Sequence, residues 1–178
     1  NGKGAFASEG KALLAAGFSS FKRVPAGSIL KDFRRIGKIN IAPKKSKKTI
    51  EALLDAAVKK RVFGLKKVRV AFSGGIDSSL IAHLASKYVE TECVVAGLSG
   101  CLDFSVAEES AKILNLPLQK IKFKLSEKLI SKVGEIIETK DQMQIEIALP
   151  LHALCRKLKS RVLLSGQGAD ELFLGYAR

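Results

Sequence analysis

Two stretches of this sequence combine glycine, serine and aspartate in a way that suits anion chemistry. The first is Ser73-Gly74-Gly75-Ile76-Asp77-Ser78-Ser79. Paired glycines let the backbone turn sharply and approach a ligand with no Cβ in the way. If a helix opens at the next residues, its free amides and dipole draw a negative group toward the turn. Ser73, Ser78 and Ser79 add hydroxyl donors, so the segment fits a phosphate or pyrophosphate. Its spacing is neither GxxxxGK followed by Ser or Thr, nor GxGxxG, so a different phosphate loop is required. The competing reading is a glycine turn whose Ser and Asp merely cap a helix. The second stretch, Ser165-Gly166-Gln167-Gly168-Ala169-Asp170-Glu171-Leu172-Phe173-Leu174-Gly175-Tyr176, again sets glycines beside a carboxylate.

Both stretches need elements to hold them, and the hydrophobic pattern supplies these. From Thr49 onward helices alternate with short β-branched runs. Thr49 to Phe63 reads as a helix with Ile50, Leu53, Leu54, Ala57 and Val58 on one face. Val68 to Phe72, Cys93 to Leu98, Leu118 to Phe123 and Arg161 to Leu164 read as strands. Asp77 to Tyr88, Asp103 to Leu114, Ser126 to Thr139 and Ile147 to Lys159 read as helices. Such alternation predicts the α/β class, a doubly wound parallel sheet with helices on both faces. Ligands then bind beyond the carboxyl ends of the strands, so chemistry is expected directly after Phe72, Leu98 and Leu164.

Residues 4–41 have a different composition. Gly4 to Ala7, Phe21 to Val24, Ser28 to Phe33 and Gly37 to Ile41 are short apolar runs broken by Gly or Pro, which predicts a small antiparallel β segment. One helix interrupts it, with Ser8 as its cap, Glu9 in its first turn, Ala12, Leu13 and Ala16 as an apolar stripe, and Gly17 at its end.

The chain of 178 residues carries a formal charge of +14. Residues 1–67 hold 17 Lys or Arg against 4 Asp or Glu, and residues 68–178 hold 14 against 13. The excess thus lies outside the glycine loops. Its densest run, Lys44-Lys45-Ser46-Lys47-Lys48, has no interleaved aromatic residue to stack on bases, which favours a solvated linker over an RNA-binding patch. No stretch approaches the ~18 apolar residues of a membrane span. Three cysteines without a CxxC pair suggest neither a disulfide framework nor a zinc site, and a reducing, cytoplasmic setting is expected. His83 and His152 stand alone in helical contexts and read as packed residues.

The loop Ser73 to Ser79 matches the SGGxDS loop of the ATP pyrophosphatases. Together with Ser165 to Tyr176 it resembles the asparagine synthetase family, whose signature is similar to SGEGADELFGGY. Gly97-Leu98-Ser99-Gly100-Cys101-Leu102-Asp103 is similar to the family's second-strand loop, and Ala148-Leu149-Pro150-Leu151 to the proline-containing start of a later helix. Phe6-Ala7-Ser8-Glu9, Lys11-Ala12-Leu13 and Val24-Pro25-Ala26-Gly27 resemble the tail of its glutaminase domain. The resemblance implies a tail-like segment over 1–42, a basic linker over 43–48 and an ATP-pyrophosphatase domain over 49–178.

It also implies a ligase that uses ATP and Mg²⁺. A carboxylate, that of aspartate in the family, attacks the α-phosphate; pyrophosphate leaves, and ammonia displaces AMP. Carried over position by position, Ser73, Gly74, Gly75, Asp77, Ser78 and Ser79 hold pyrophosphate, and Asp77 with Asp170 shares the metal. Backbone near Ala71 and Ala96 meets adenine, Ser165 and Gly166 meet the ribose or α-phosphate side, and Asp103 is a further site candidate or a helix cap. Two departures bear on the second half-reaction. The chain starts with Asn1, where the family has a catalytic cysteine, so ammonia is expected from another source such as a separate glutaminase subunit. Gln167 stands where asparagine-forming members usually have Glu, and an amide cannot act as a base toward ammonia. A tRNA-modifying ATP pyrophosphatase and a non-catalytic nucleotide-binding subunit are the alternative functions, with nucleic acid the less favoured partner.

Overall fold

The computed structural model describes residues 4–39 and 47–173. The chain divides into two compact units, Asn1–Lys47 and Lys48–Arg178.

In the first unit, helix α1 (Gly10–Ala15) precedes a hairpin of strands β1 (Ser28–Lys31) and β2 (Arg34–Lys38). The antiparallel pairing closes at Lys31 opposite Arg34, so the loop is Asp32-Phe33 alone. Both residues have positive φ, 49° and 63°, as a two-residue turn that follows the strand twist requires. Phe33 in that conformation is costly for a side chain. Its ring stacks on Phe6 with centroids 4.5 Å apart. Gly4 admits the Phe33 ring, since a Cβ there would lie 2.2 Å from it. The expected strands at Gly4 to Ala7 and Phe21 to Val24 do not form. Those aromatics are used in ring contacts instead: Phe21 lies against Gly10, where a Cβ would sit 2.2 Å from its ring. Glu9, not Ser8, occupies the N-cap of α1 and makes no side-chain cap, whereas Gly17, at φ 90°, does end the helix. Asn40 and Ile41 of the expected last strand lie outside the described residues, as do Lys44 and Lys45.

The second unit is a four-stranded parallel sheet in the order β5-β4-β3-β6, with β3 Lys67–Ala71, β4 Glu90–Gly97, β5 Leu118–Lys122 and β6 Leu163–Ser165. Helices α2 (Ile50–Val62), α3 (Ile76–Ser86), α4 (Asp103–Ile113), α5 (Glu127–Ile137), α6 (Gln142–Lys157) and α7 (Ala169–Phe173) alternate with them. Strand alternation assigns the two faces. Val68, Val70, Cys93 and Val95 pack with Val58, Val62, Ala82, Ala85 and Ala107 of α2, α3 and α4. Val94, Ala96 and Ile121 pack with Leu154 and Leu158 of α6 and its exit. A third cluster, Val133, Ile145 and Leu149, joins α5 to α6. The sheet is therefore doubly wound. Val70 and Val94, fully buried on opposite faces, each contribute about 1.5–3 kcal/mol of transfer free energy.

The connections explain where a ligand can bind. From β3 the chain moves to β4 and then β5, and afterwards crosses back to place β6 on the other side of β3. Right-handed crossovers then put α3 and α4 on one face and α5 and α6 on the other. The order reverses between β3 and β6, and a crevice opens at such a switch point.

Helix boundaries follow their caps. Thr49 accepts from the Ala52 amide at 3.2 Å and starts α2. Ile50 and Leu53 of its expected apolar face are exposed, because the burial stripe runs through Leu54, Val58 and Val62 instead. Helix α6 begins at Gln142 rather than Ile147, because the Asp141 carboxylate accepts from the Gln144 amide at 2.8 Å. Pro150 consequently lies inside the helix and not at its start. His83 is exposed on α3, contrary to expectation, whereas His152 is half-buried. All three cysteines are free; burial, with Glu92 nearby, pushes the Cys93 thiol up to about 11 and leaves it inert.

Candidate functional site

The segment after β3 is a loop fixed by its own polar groups. Ser73 Oγ accepts from the Gly75 amide at 3.3 Å and lies 3.2 Å from Ser78 Oγ, which donates to the Gly75 carbonyl at 3.0 Å. Gly74 has φ 82°, and a Cβ there would lie 2.7 Å from the Val106 carbonyl oxygen of α4. Only glycine fits both the conformation and the approach. Ser110 of α4 donates to the Gly74 carbonyl at 2.9 Å and holds the loop from the other side. Helix α3 then opens at Ile76 with no side-chain cap, so its first amides are left for a ligand.

The loop after β6 leans on this one. A Cβ at Gly166 would lie 2.9 Å from the carbonyl carbon and Cβ of Asp77 and from the Ser78 amide. The absence of a side chain at Gly166 thus lets the two loops touch. Ser165 Oγ accepts from the Gln167 amide at 3.1 Å, Gly168 turns at φ 97°, and α7 starts at Ala169 with Asp170 in its first turn.

A cleft of about 330 Å³ lies where the loops meet. Its polar wall carries Ser73, Asp77 and Ser78 from one loop, and Ser165, Gly166, Gln167 and Asp170 from the other. Its apolar wall includes Ala71 and Ala96 at the strand ends, and Asp103 also faces it. The fold therefore gathers these residues, more than ninety positions apart at the extremes, into one crevice. Gly74, Gly75 and Ser79 shape the loop and the first helical turn but do not line the cleft. The Ser79 amide donates to the Gly75 carbonyl at 3.0 Å. Asp103 is the first residue of α4 and not its cap, a position held by Leu102.

Several contributors are not evident in the glycine motifs. Ile147, Pro150, Leu151 and Leu154 of α6 form the cleft's apolar side. The similarity of Ala148-Leu149-Pro150-Leu151 to the family's proline-containing helix start was their one visible signal. Ser110 carries no motif, and only the fold brings it to Gly74. Among the described residues no group of three or more His, Cys, Asp and Glu side chains could hold a metal by itself. No helix among them is long and apolar enough to cross a membrane.

A sequence model of the family described as Asparagine synthase matches residues 49–178. "Putative asparagine synthetase (glutamine-hydrolyzing) 1" of Methanocaldococcus jannaschii is 40% identical over 159 residues, covering 84% of this chain and 29% of that protein. Asparagine synthetase B (glutamine-hydrolyzing) of Escherichia coli is 31% identical over 150 residues, covering 73% of this chain and 27% of its own length. Among solved structures, NMN synthetase from Francisella tularensis is 17% identical, with a TM-score of 0.48 over 73% of this chain and 60% of that one. The chain thus spans less than a third of the length of these two curated relatives. Two glycine loops in the right order, a sequence match over the whole βα region and a relative at 40% identity agree, and the chain belongs to the asparagine synthase family.

Proposed function

We propose that the cleft binds Mg-ATP and that the chain forms the nucleotide site of an ATP-dependent amide-forming ligase. In this reaction a carboxylate is adenylated with release of pyrophosphate, and ammonia then displaces AMP. Aspartate is the acceptor suggested by the names of the relatives, and the ammonia comes from another region or a separate glutaminase subunit. A cytoplasmic setting goes with this reading. The observation that carries it is the contact of the two glycine loops, which puts Asp77 and Asp170 on one cleft at the switch point of the sheet.

The donor set fits the metal. Mg²⁺ commonly takes one or two carboxylates and completes its shell with phosphate oxygens and water, and the cleft offers those of Asp77 and Asp170, with Asp103 as a third, and no His or Cys among its described lining residues. Bound there, the ion neutralises charge that builds up on the leaving pyrophosphate. The chain's own groups do the rest. Ser73, Ser78 and the uncapped start of α3 receive the pyrophosphate; Ser165 and Gly166 border the ribose and α-phosphate; Ala71 and Ala96 leave an apolar slot for adenine. Residues 1–42 are assigned to the tail of a glutaminase-type domain, 43–48 to a linker and 49–178 to the ATP-pyrophosphatase domain.

Gln167 separates the half-reactions. Adenylation needs no carboxylate at this position, whereas attack by the amine needs a proton removed, and a positioned base contributes ~10²–10⁴-fold. Exchange of labelled pyrophosphate into ATP by the natural full-length chain tests the reading, with and without aspartate. Stimulation by aspartate is expected, together with a Gln167→Glu form that raises amide formation more than exchange. Exchange that ignores aspartate and responds to bulk tRNA would assign the site to tRNA modification instead.

A further inference from the structure

The loop after β4 closes back on a glycine. Gly97 ends the strand and, by alternation with Cys93 and Val95, points to the side of the sheet that α4 covers. Its missing side chain leaves a notch that Cys101 of the following loop fills. A Cβ at Gly97 would lie 2.4 Å from Cys101 Sγ and 3.5 Å from the Phe104 ring. The turn that brings Cys101 back is short: its amide donates to the Leu98 carbonyl at 3.2 Å, with Gly100 at φ 82° inside the turn. Cys101 is half-buried there and packs on the core cluster that contains Phe104.

This seat bears on the cleft through Asp103. Asp103 opens α4, lines the cleft and is exposed, and among the described residues its carboxylate makes no hydrogen bond or ion pair. The N-cap residue, Leu102, makes no side-chain cap, so packing locates the first turn of the helix. Cys101 lies two residues before Asp103 and Phe104 one after it, and both meet at the Gly97 position. The carboxylate is therefore held from its flanks, by side chains whose common support is the open space at Gly97. Further along the same helix the Val106 carbonyl and Ser110 brace Gly74. One helix thus supports the phosphate loop and presents a carboxylate to the cleft, and the notch sets where its first turn stands.

We propose that Gly97 and Cys101 are positioning residues: Cys101, seated in the space left open at Gly97, fixes the first turn of α4 so that the Asp103 carboxylate faces the nucleotide. The consequence for the nucleotide rests on the proposed reading of the cleft; the seat does not. A methyl group at position 97 pushes Cys101 out, and the turn with it. Removal of Sγ in Cys101→Ala has the opposite effect and leaves the notch empty. Made together, the two changes move a similar volume across the same contact, and volume-conserving exchanges are tolerated best.

Two measurements on the natural full-length chain test this: calorimetry with Mg-ATP, and iodoacetamide labelling of Cys101 read on its own peptide by mass spectrometry. Gly97→Ala is expected to weaken Mg-ATP about fivefold and to speed Cys101 labelling by about as much, because a site group displaced by a fraction of an ångström loses its fit. Cys101→Ala alone, which adds no bulk, is expected to weaken Mg-ATP about threefold, and the Gly97→Ala, Cys101→Ala pair to return to within about twofold of the parent. Asp103→Asn should weaken Mg-ATP about as much as Gly97→Ala, and adding Gly97→Ala to it should cost less than about twofold more, since both changes act on one group. A purely structural notch predicts instead that these two losses multiply. That outcome, parent-like affinity and labelling in Gly97→Ala, parent-like affinity in Cys101→Ala, or absence of rescue in the pair overturns the proposal. Faster labelling of Gly97→Ala in a chain that does not bind Mg-ATP supports the seat and overturns the nucleotide reading.

Discussion

The two glycine loops reach the same cleft by different means. The loop after β3 is held from within by Ser73 and Ser78 and from outside by Ser110 and the backbone of α4. The loop after β6 has one internal serine bond, and its position depends on Gly166 seated against Asp77 and Ser78. On the proposed reading the first is thus a preorganised receptor, in which fixed donors cost no ordering when an anion arrives. The second is placed by the first. It follows that damage to the first loop should reach the second, while damage to the second should leave the first largely intact.

The largest expected effect is that of Gly74→Ala. A side chain there must take positive φ and lie 2.7 Å from the Val106 carbonyl oxygen, so the loop has to move. Strained backbone and overpacking together cost about 3 kcal/mol. Chemical denaturation should show a loss of that size, with Mg-ATP affinity reduced beyond detection by calorimetry. Gly166→Ala has ordinary φ and meets only the close contacts with Asp77 and Ser78, so about 1–2 kcal/mol is expected, with Mg-ATP weakened roughly tenfold. An equal or larger loss at Gly166 would reverse the dependence described above.

Ser110→Ala comes next and sharpens the comparison, because it loosens the first loop without touching its motif. Loss of one hydrogen bond to the Gly74 carbonyl should cost about 1 kcal/mol in stability. Mg-ATP binding should weaken by less than at Gly166. The smallest effect is expected outside both loops. Neutralising Lys44, Lys45, Lys47 and Lys48 should leave the Mg-ATP dissociation constant within about twofold, as expected of a solvated linker whose charges are screened by salt. A large loss would make the basic run part of the site.

Much of this arrangement was legible in the sequence, for identifiable reasons. The strands and helices of the second unit alternate in period, and their ends carry caps such as Thr49 and Ser126, so their order and the parallel sheet followed. The glycine loops were visible because their composition is unusual in any other role. What was not legible depends on three dimensions. The start of α6 was set too late because Pro150 looked like an N-terminal residue, and the cap at Asp141 gives no apolar signal. The strands expected at Gly4 to Ala7 and Phe21 to Val24 are absent because Phe6 and Phe21 contact a ring and a glycine rather than a sheet. Ser110, Ile147 and Leu151 become site residues only when α4 and α6 are packed on their faces. A larger cavity, of about 730 Å³, that shares Ala96, Asp103 and Pro150 with the cleft has no motif at all; it arises from the junction of α5, α6 and the loop after β4.

The central claim is that both loops serve one Mg-ATP, with Asp77 and Asp170 sharing its metal. Titration of Mg-ATP into the parent chain, Asp77→Asn, Asp170→Asn and the double variant tests it most directly. Each single substitution is expected to weaken binding at least tenfold. The double variant should be little weaker than the worse single one, because residues that act on a shared partner are not additive. Parent-like affinity in either single variant would contradict the account.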